Sequence, residues 1–244
     1  MVGRTSLMMA PEEPKPTGAT PLIVVAGTIG HVETVDRLIA ARAEVNAKDK
    51  DGWTCLTMAS SKGHSEVVDR LIAARANINA ATVTENGATP LYIAAQNGHA
   101  AVMDRLIAAG ADVEAKVQDG STPLLIASKV GRVEAVDRLI AARAEVNAKD
   151  KDGRTPLFAA SSVGHSEVVS RLIAARATVE AASEGQHTPL HGAAYHGHAR
   201  VVAMLLAAGA DIQACNSGGA TAEELALSKR HYAVVELLAQ AKGT

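Results

Sequence analysis

The feature that most constrains this chain is that it repeats itself. A Thr followed by Pro-Leu, or by a close substitute, stands at Thr20, Thr54, Thr89, Thr122, Thr155, Thr188 and Thr221, at spacings of 34, 35, 33, 33, 33 and 33 residues. A Gly-His pair follows at Gly30-His31, Gly63-His64, Gly98-His99, Gly164-His165 and Gly197-His198, with Gly131-Arg132 and Arg230-His231 in the other two copies. A period of this length belongs to arrays whose modules touch only their neighbours, so a one-dimensional stack is expected. Seven units account for residues 18–244: about 18–51, 52–86, 87–119, 120–152, 153–185, 186–218 and, as a C-terminal cap, 219–244.

Each unit has a physical reading. Asp51-Gly52, Asn86-Gly87, Asp119-Gly120 and Asp152-Gly153 are strong hairpin-turn signals. The Thr that follows suits a helix N-cap, and Pro at the first helical position loses no amide donor that the helix would use. Leu-x-x-Ala-Ala gives a short helix with a small face, and Gly-His breaks it. The stretch from Glu66 to Ala74 then places Val67, Val68, Leu71 and Ile72 at helical spacing. A hairpin tip plus two antiparallel helices cannot bury its apolar face alone, so stacking must do it.

Gly87-Ala88-Thr89-Pro90-Leu91-Tyr92-Ile93-Ala94-Ala95-Gln96-Asn97-Gly98-His99 resembles the ankyrin-repeat signature, and Thr188-Pro189-Leu190-His191-Gly192-Ala193-Ala194-Tyr195-His196-Gly197-His198 matches it throughout. The resemblance covers more than nine tenths of the chain. It implies an all-α solenoid of stacked helix-turn-helix units with short β-hairpin tips. It also implies a concave side built from tips and first helices, and a role in binding other proteins.

The chain departs from that pattern in places. Where the family usually ends its second helix with Gly, as at Gly110 and Gly209, Arg42, Arg75, Arg143 and Arg176 stand instead. A non-Gly residue in a left-handed cap costs about 1 kcal/mol, and the arginine stems are expected to cover apolar surface while their charges reach water. One extra residue between Thr20 and Gly30 predicts an irregular first helix. The hairpin before the third unit is two residues longer, through Ala81-Thr82-Val83-Thr84-Glu85, and one extra residue is read between Gly185 and Thr188.

A second period lies above the first. Residues Val35 to Gly52 and Val136 to Gly153 are the same 18 amino acids, 101 positions apart. A three-unit block has been duplicated, which predicts similar surface patches twice, roughly 30 Å apart for helices packed at ordinary distances.

The ends differ from the middle. Residues 1–17 carry Pro11, Pro14 and Pro16 beside Glu12, Glu13 and Lys15, which predicts a disordered N-terminal tail. At the other end Thr221-Ala222-Glu223-Glu224-Leu225 puts two acids near a helix start, as suits the macrodipole and a polar terminal cap. The first unit is less well closed, because Leu22, Ile23, Val24 and Val25 lack an obvious polar cover; the tail or a partner is left to shield them.

Composition narrows the function. One Trp, three Tyr and one Phe in 244 residues leave Ala, Leu, Ile and Val to build the core. A net charge of -2 argues against a nucleic-acid partner. No run approaches the roughly 20 apolar residues of a membrane span, so no membrane partner is expected. Two cysteines, Cys55 and Cys215, lie about five units apart and suit a reducing compartment: intracellular, cytoplasmic or nuclear. Cys55 replaces the Pro of the triplet and is expected to be a packed small residue.

No convergent catalytic set is legible. Phosphate loops, dinucleotide fingerprints and nucleophile elbows are missing, and no loop insertion exceeds two residues. Six of nine histidines sit at the Gly-His position, one per unit, which is a structural place in the family. His187, His191, His196 and His198 are denser, yet no Cys or carboxylate completes a metal-ligand pattern. No cofactor, no metal and no catalytic residue are expected.

If the resemblance holds, partner-facing positions follow the tip glycines and close the first helices. They are Trp53, Lys62, Gln96, Asn97, Ser121, Lys129, Arg154, His187, Tyr195 and His196. Trp, Tyr and Arg dominate interface energetics, although Trp53 could equally pack across neighbouring hairpins. Repeated Asp-Arg pairs, Asp36-Arg37, Asp69-Arg70, Asp104-Arg105 and Asp137-Arg138, predict solvated ladders between units. Asn46 and Asn147 stand where the family's hairpins sometimes carry a hydroxylated Asn. The reading is a monomeric, non-enzymatic scaffold or adaptor that binds another protein; the alternatives are a dedicated inhibitor docking on one enzyme and, last, an enzyme.

Overall fold

The computed structural model describes residues 18–28, 30–84 and 86–242; the expected disordered tail lies outside them. Helices alternate between two layers. The first layer holds α1 (Pro21–Thr28), α3 (Cys55–Lys62), α5 (Pro90–Asn97), α7 (Pro123–Lys129), α9 (Pro156–Val163), α11 (Pro189–Tyr195) and α13 (Ala222–Ser228). The second holds α2 (Val32–Ala40), α4 (Ser65–Ala73), α6 (Ala100–Ala108), α8 (Val133–Ala141), α10 (Ser166–Ala174), α12 (Ala199–Ala207) and α14 (Tyr232–Lys242). Each helix packs on the next of its own layer and on its partner in the other. The result is a linear stack of helix-turn-helix units with one continuous core.

The caps explain why these short helices stop and start where they do. The hydroxyls of Thr89, Thr122 and Thr155 accept the backbone N–H three residues on, with Pro at the first helical position. Thr188–His191 and Thr221–Glu224 close reciprocal capping boxes. First helices from α1 to α11 then end at or just before a left-handed Gly, and α13 ends before left-handed Arg230; at Gly63 φ is 77°. A side chain there would meet two obstacles: the left-handed backbone, and the next unit's His99 ring, 2.7 Å from where a Cβ would sit. That ring is fixed in turn. His99 Nε2 pairs with the Ser61 carbonyl at 3.0 Å; His165, His198 and His231 pair likewise with Lys129, Ser162 and Tyr195, and Arg132 Nε donates to Gln96. His99, His165, His198 and His231 therefore tie units together.

Large buried side chains, among them Leu56, Leu71, Leu91, Leu106, Leu124, Leu139, Leu157, Leu172 and Leu190, recur once or twice per unit. The tips are linked edge to edge: the N–H groups of Val83, Gln118, Lys151, Glu184 and Ser217 donate to the carbonyls of Asp51, Asn86, Asp119, Asp152 and Gly185 at 2.7–3.0 Å. Among the described residues the only bridge assigned at a tip is Cys215 to Thr221. On the second layer the expected ladder forms, Arg70–Asp36, Arg105–Asp69, Arg138–Asp104 and Arg171–Asp137 at 2.7–3.6 Å, with exposed or half-buried partners.

Three expectations need correction. Helix α1 is a regular eight-residue helix, and its extra residue falls after it, at position 29, outside the described residues. The sixth unit has no extra residue. Ser183 N–H donates to His187 and Gln186 N–H to Ser183, as Asp150 pairs with Arg154 and Gly153 with Asp150 one unit earlier. Gln186, at φ 59°, thus takes the place of the tip Gly, and Gly185 takes that of Asp152. Finally, Leu22 and Ile23 are 1% exposed, leaving Val24 at 48% as the open apolar residue of α1. The longer third hairpin is present, closed by Thr82 N–H to Ala88, as Asp49 N–H closes on Trp53 one unit before. The four arginines do hold left-handed backbones, φ 61–63°.

Candidate protein-binding face

The first helices and the tips present one face, and the expected contact residues fall into three groups on it. At the N-terminal end Trp53 and Lys62 line a groove of about 350 Å³ with Ile23, Val24, Asp49 and Met58. Trp53 is half-buried and also packs against the cluster of Ala88, Tyr92, Ile93, Val117 and Ile126, which is the packing role the sequence left open. In the middle, Ser121, Lys129 and Arg154 line a smaller groove of about 110 Å³ with Leu125, Phe158 and Val163. Ser121, one of the expected partner-facing residues, lines this groove with only 4% of its surface exposed. At the C-terminal end the His187 ring lies edge-on to His191 at 5.8 Å, and separately Tyr195 lies edge-on to His196, which stacks on His198.

Gln96 and Asn97 lie between the first two groups. Asn97 is exposed, yet its Nδ2 donates to the Ser61 carbonyl at 3.2 Å, so the side chain spans to the previous unit. Tyr195 is partly exposed, with the Lys229 ammonium 4.5 Å from its ring centre. Val163, at 46% exposure, stands at the end of α9 where Lys62 closes α3.

Electrostatics follow from the tips. Arg154 Nε donates to Asp150 Oδ2 at 2.8 Å and Arg154 Nη2 reaches Asp152 at 2.6 Å. Burial opposes the charge, but these carboxylates outweigh it and hold the guanidinium above its ordinary range. Asp119 is held below the usual carboxylate range: partial burial raises it, and the Ser121 hydrogen bonds with Arg154 and Lys129 nearby more than offset this. His191 is pushed down by burial, against its bond to the Ala220 carbonyl. Cys55 is buried, donates to the Val45 carbonyl at 3.0 Å, and desolvation raises its thiol to about 11.

Among the described residues no three His, Cys, Asp or Glu side chains gather closely enough to hold a metal ion. No described helix is long and apolar enough to cross a membrane.

The family profile described as Ankyrin repeats (3 copies) matches residues 3–82, 22–117, 91–183, 124–216 and 179–244, in overlapping blocks that span nearly the whole chain. The chain belongs to the ankyrin-repeat family. This ankyrin-repeat array is similar in fold to the crystal structure of the human ASB11 ankyrin repeat domain. The TM-score is 0.82 at 28% identity, over 91% of this chain and 98% of that one. No curated protein sequence matches it. Ankyrin repeats are in general protein–protein interaction modules, and the two-layer geometry here is theirs.

Proposed function

We propose that this ankyrin-repeat protein is a non-enzymatic scaffold or adaptor that binds a partner protein on the face made by its tips and first helices. The observation that carries the reading is the placement of Trp53, Lys62, Lys129, Arg154 and Tyr195 along one face that holds both first-helix grooves. The opposite layer is occupied by its own Asp–Arg ladder. A stacked array is rigid before binding, so little ordering opposes association, and aromatic and arginine side chains supply the strongest anchors. The partner sits against Trp53, Lys62, Gln96, Asn97, Lys129, Arg154, His187, Tyr195 and His196, and the protein works inside the cell as a monomer.

Affinity capture tests this. A variant with Lys62, Asn97, Lys129 and Tyr195 changed to Glu should lose the proteins that the unchanged chain retains. A variant with Arg70, Arg105, Arg138 and Arg171 changed to Glu, on the other layer, should keep them. The opposite pattern, or capture of nothing by the unchanged chain, would overturn the reading.

A further inference from the structure

The two grooves occupy the same place in the two copies of the duplicated block. Ala19, Ile23 and Gly27 of one correspond to Ser121, Leu125 and Lys129 of the other at an offset of 102; Asp49, Trp53, Met58 and Lys62 correspond to Asp150, Arg154, Ala159 and Val163 at 101. The swap of small for large is reciprocal. A Cβ on Gly27 would lie 2.2 Å from Met58 Cγ, whereas Lys129 lines its groove together with the smaller Ala159.

The carboxylates at the two tips are built alike. Asp150 Oδ1 accepts the N–H groups of Asp152 and Arg154 at 3.0 and 2.8 Å, and Asp49 Oδ1 accepts those of Asp51 and Trp53 at the same two distances. In the second groove Asp150 Oδ2, left over from the turn, takes Arg154 Nε, and Asp152 takes Nη2. In the first groove Trp53 stands where Arg154 would be. Among the described residues no basic side chain forms an ion pair with Asp49 or Asp51.

We propose that the groove of Asp49, Asp51 and Trp53 receives an arginine side chain of the partner protein, whose guanidinium does there what Arg154 does from within three units on. The proposal rests on the protein-binding reading and names the chemistry of one part of that face. Arginine fits better than lysine, because its planar fork can span two carboxylates and lie against an indole. Ile23, Val24 and Met58 give the flanking residues an apolar floor.

The test uses the full chain and the peptide acetyl-Gly-Ala-Leu-Arg-Leu-Ala-Gly-amide, with an otherwise identical peptide carrying neutral citrulline for arginine. Binding is followed by the indole N–H resonance of Trp53, the sole Trp, and by calorimetry. The arginine peptide should bind at one site, with the citrulline peptide and the Asp49→Asn/Asp51→Asn variant each weaker by about tenfold or more. Asn keeps the Oδ1 acceptor that the turn needs. Trp53→Arg should supply its own guanidinium and abolish binding, and Arg154→Trp should raise the stoichiometry to two.

Equal binding of both peptides, or indifference to the Asn changes, would overturn the proposal. So would binding that appears only after residues 1–17 are deleted, because the chain's own Arg4 or Lys15 would then be the occupant. If the peptides fail while capture still depends on Lys62, Asn97, Lys129 and Tyr195, the arginine pocket falls and the protein-binding reading stands. If that capture fails too, both fall.

Discussion

The Asn46 carboxamide oxygen accepts the backbone N–H of Asn77, in the next unit, at 2.7 Å, while its Nδ2 lies 3.4 Å from the Arg75 carbonyl. The same reach recurs from Asn79 to Asp112, Glu114 to Glu145, Asn147 to Thr178 and Glu180 to Asp211, at 2.7–3.0 Å. A ladder of side chains thus links each second-helix loop to the one after it. Asn46→Ala and Asn147→Ala should each cost about 1 kcal/mol, the worth of one net hydrogen bond, read as a lower denaturant midpoint. The two sites lie far apart, so their effects should add; no loss in either variant would show the ladder to be ornamental.

Replacing the left-handed arginines should stabilise the protein. Arg42, Arg75, Arg143 and Arg176 sit at φ 61–63° and Gln186 at 59°. Relief of about 1–2 kcal/mol of backbone strain per residue is partly offset by about 0.4–1 kcal/mol of extra freedom in the unfolded chain. Each change to Gly should therefore gain roughly 0.5 kcal/mol in chemical denaturation. A loss at the arginine sites would mean that their stems cover more apolar surface than their backbones cost.

Stability should fall on mild acidification. Burial pushes His191 below the ordinary histidine range, and His198 in the same direction. A base with a depressed folded pKa favours the neutral form, so the unfolded chain binds more protons. The stability held above the unfolded value of about 6.5 is then lost as pH drops toward the folded pKa. Unfolding free energies at pH 7.5 and 5.5 should differ less in His191→Gln than in the unchanged protein; an equal difference would remove His191 as the source.

Thiol chemistry should separate the two cysteines. Cys55 is buried with a thiol near 11, and Cys215 is exposed. Since the thiolate is the reactive form, Ellman's reagent should modify one thiol quickly in the native protein and the second only on unfolding. Two fast thiols would contradict the packing around Cys55.

Much of this was legible in the sequence, because the period recorded the backbone. Thr89-Pro90-Leu91 and Gly98-His99 fixed where helices start, stop and join, and the Asp–Arg pairs announced their ladder. What escaped depended on conformation or on neighbours. Gly185 looked like the tip Gly of its unit, and only the backbone shows that Gln186 holds the left-handed place. Ser121 followed a tip Gly as Trp53 does, yet neighbouring side chains cover it. The duplicated 18 residues foretold similar patches; the exchange of Trp53 for Arg154, which makes one carboxylate pair satisfied and the other open, needed both grooves in view.

Hydrogen exchange of the captured complex, compared with the free chain, tests the central claim most directly. The account expects added protection at the tips and along α3, α5, α7, α9 and α11, with little change in α4, α6, α8 and α10. Protection confined to those second-layer helices would contradict it.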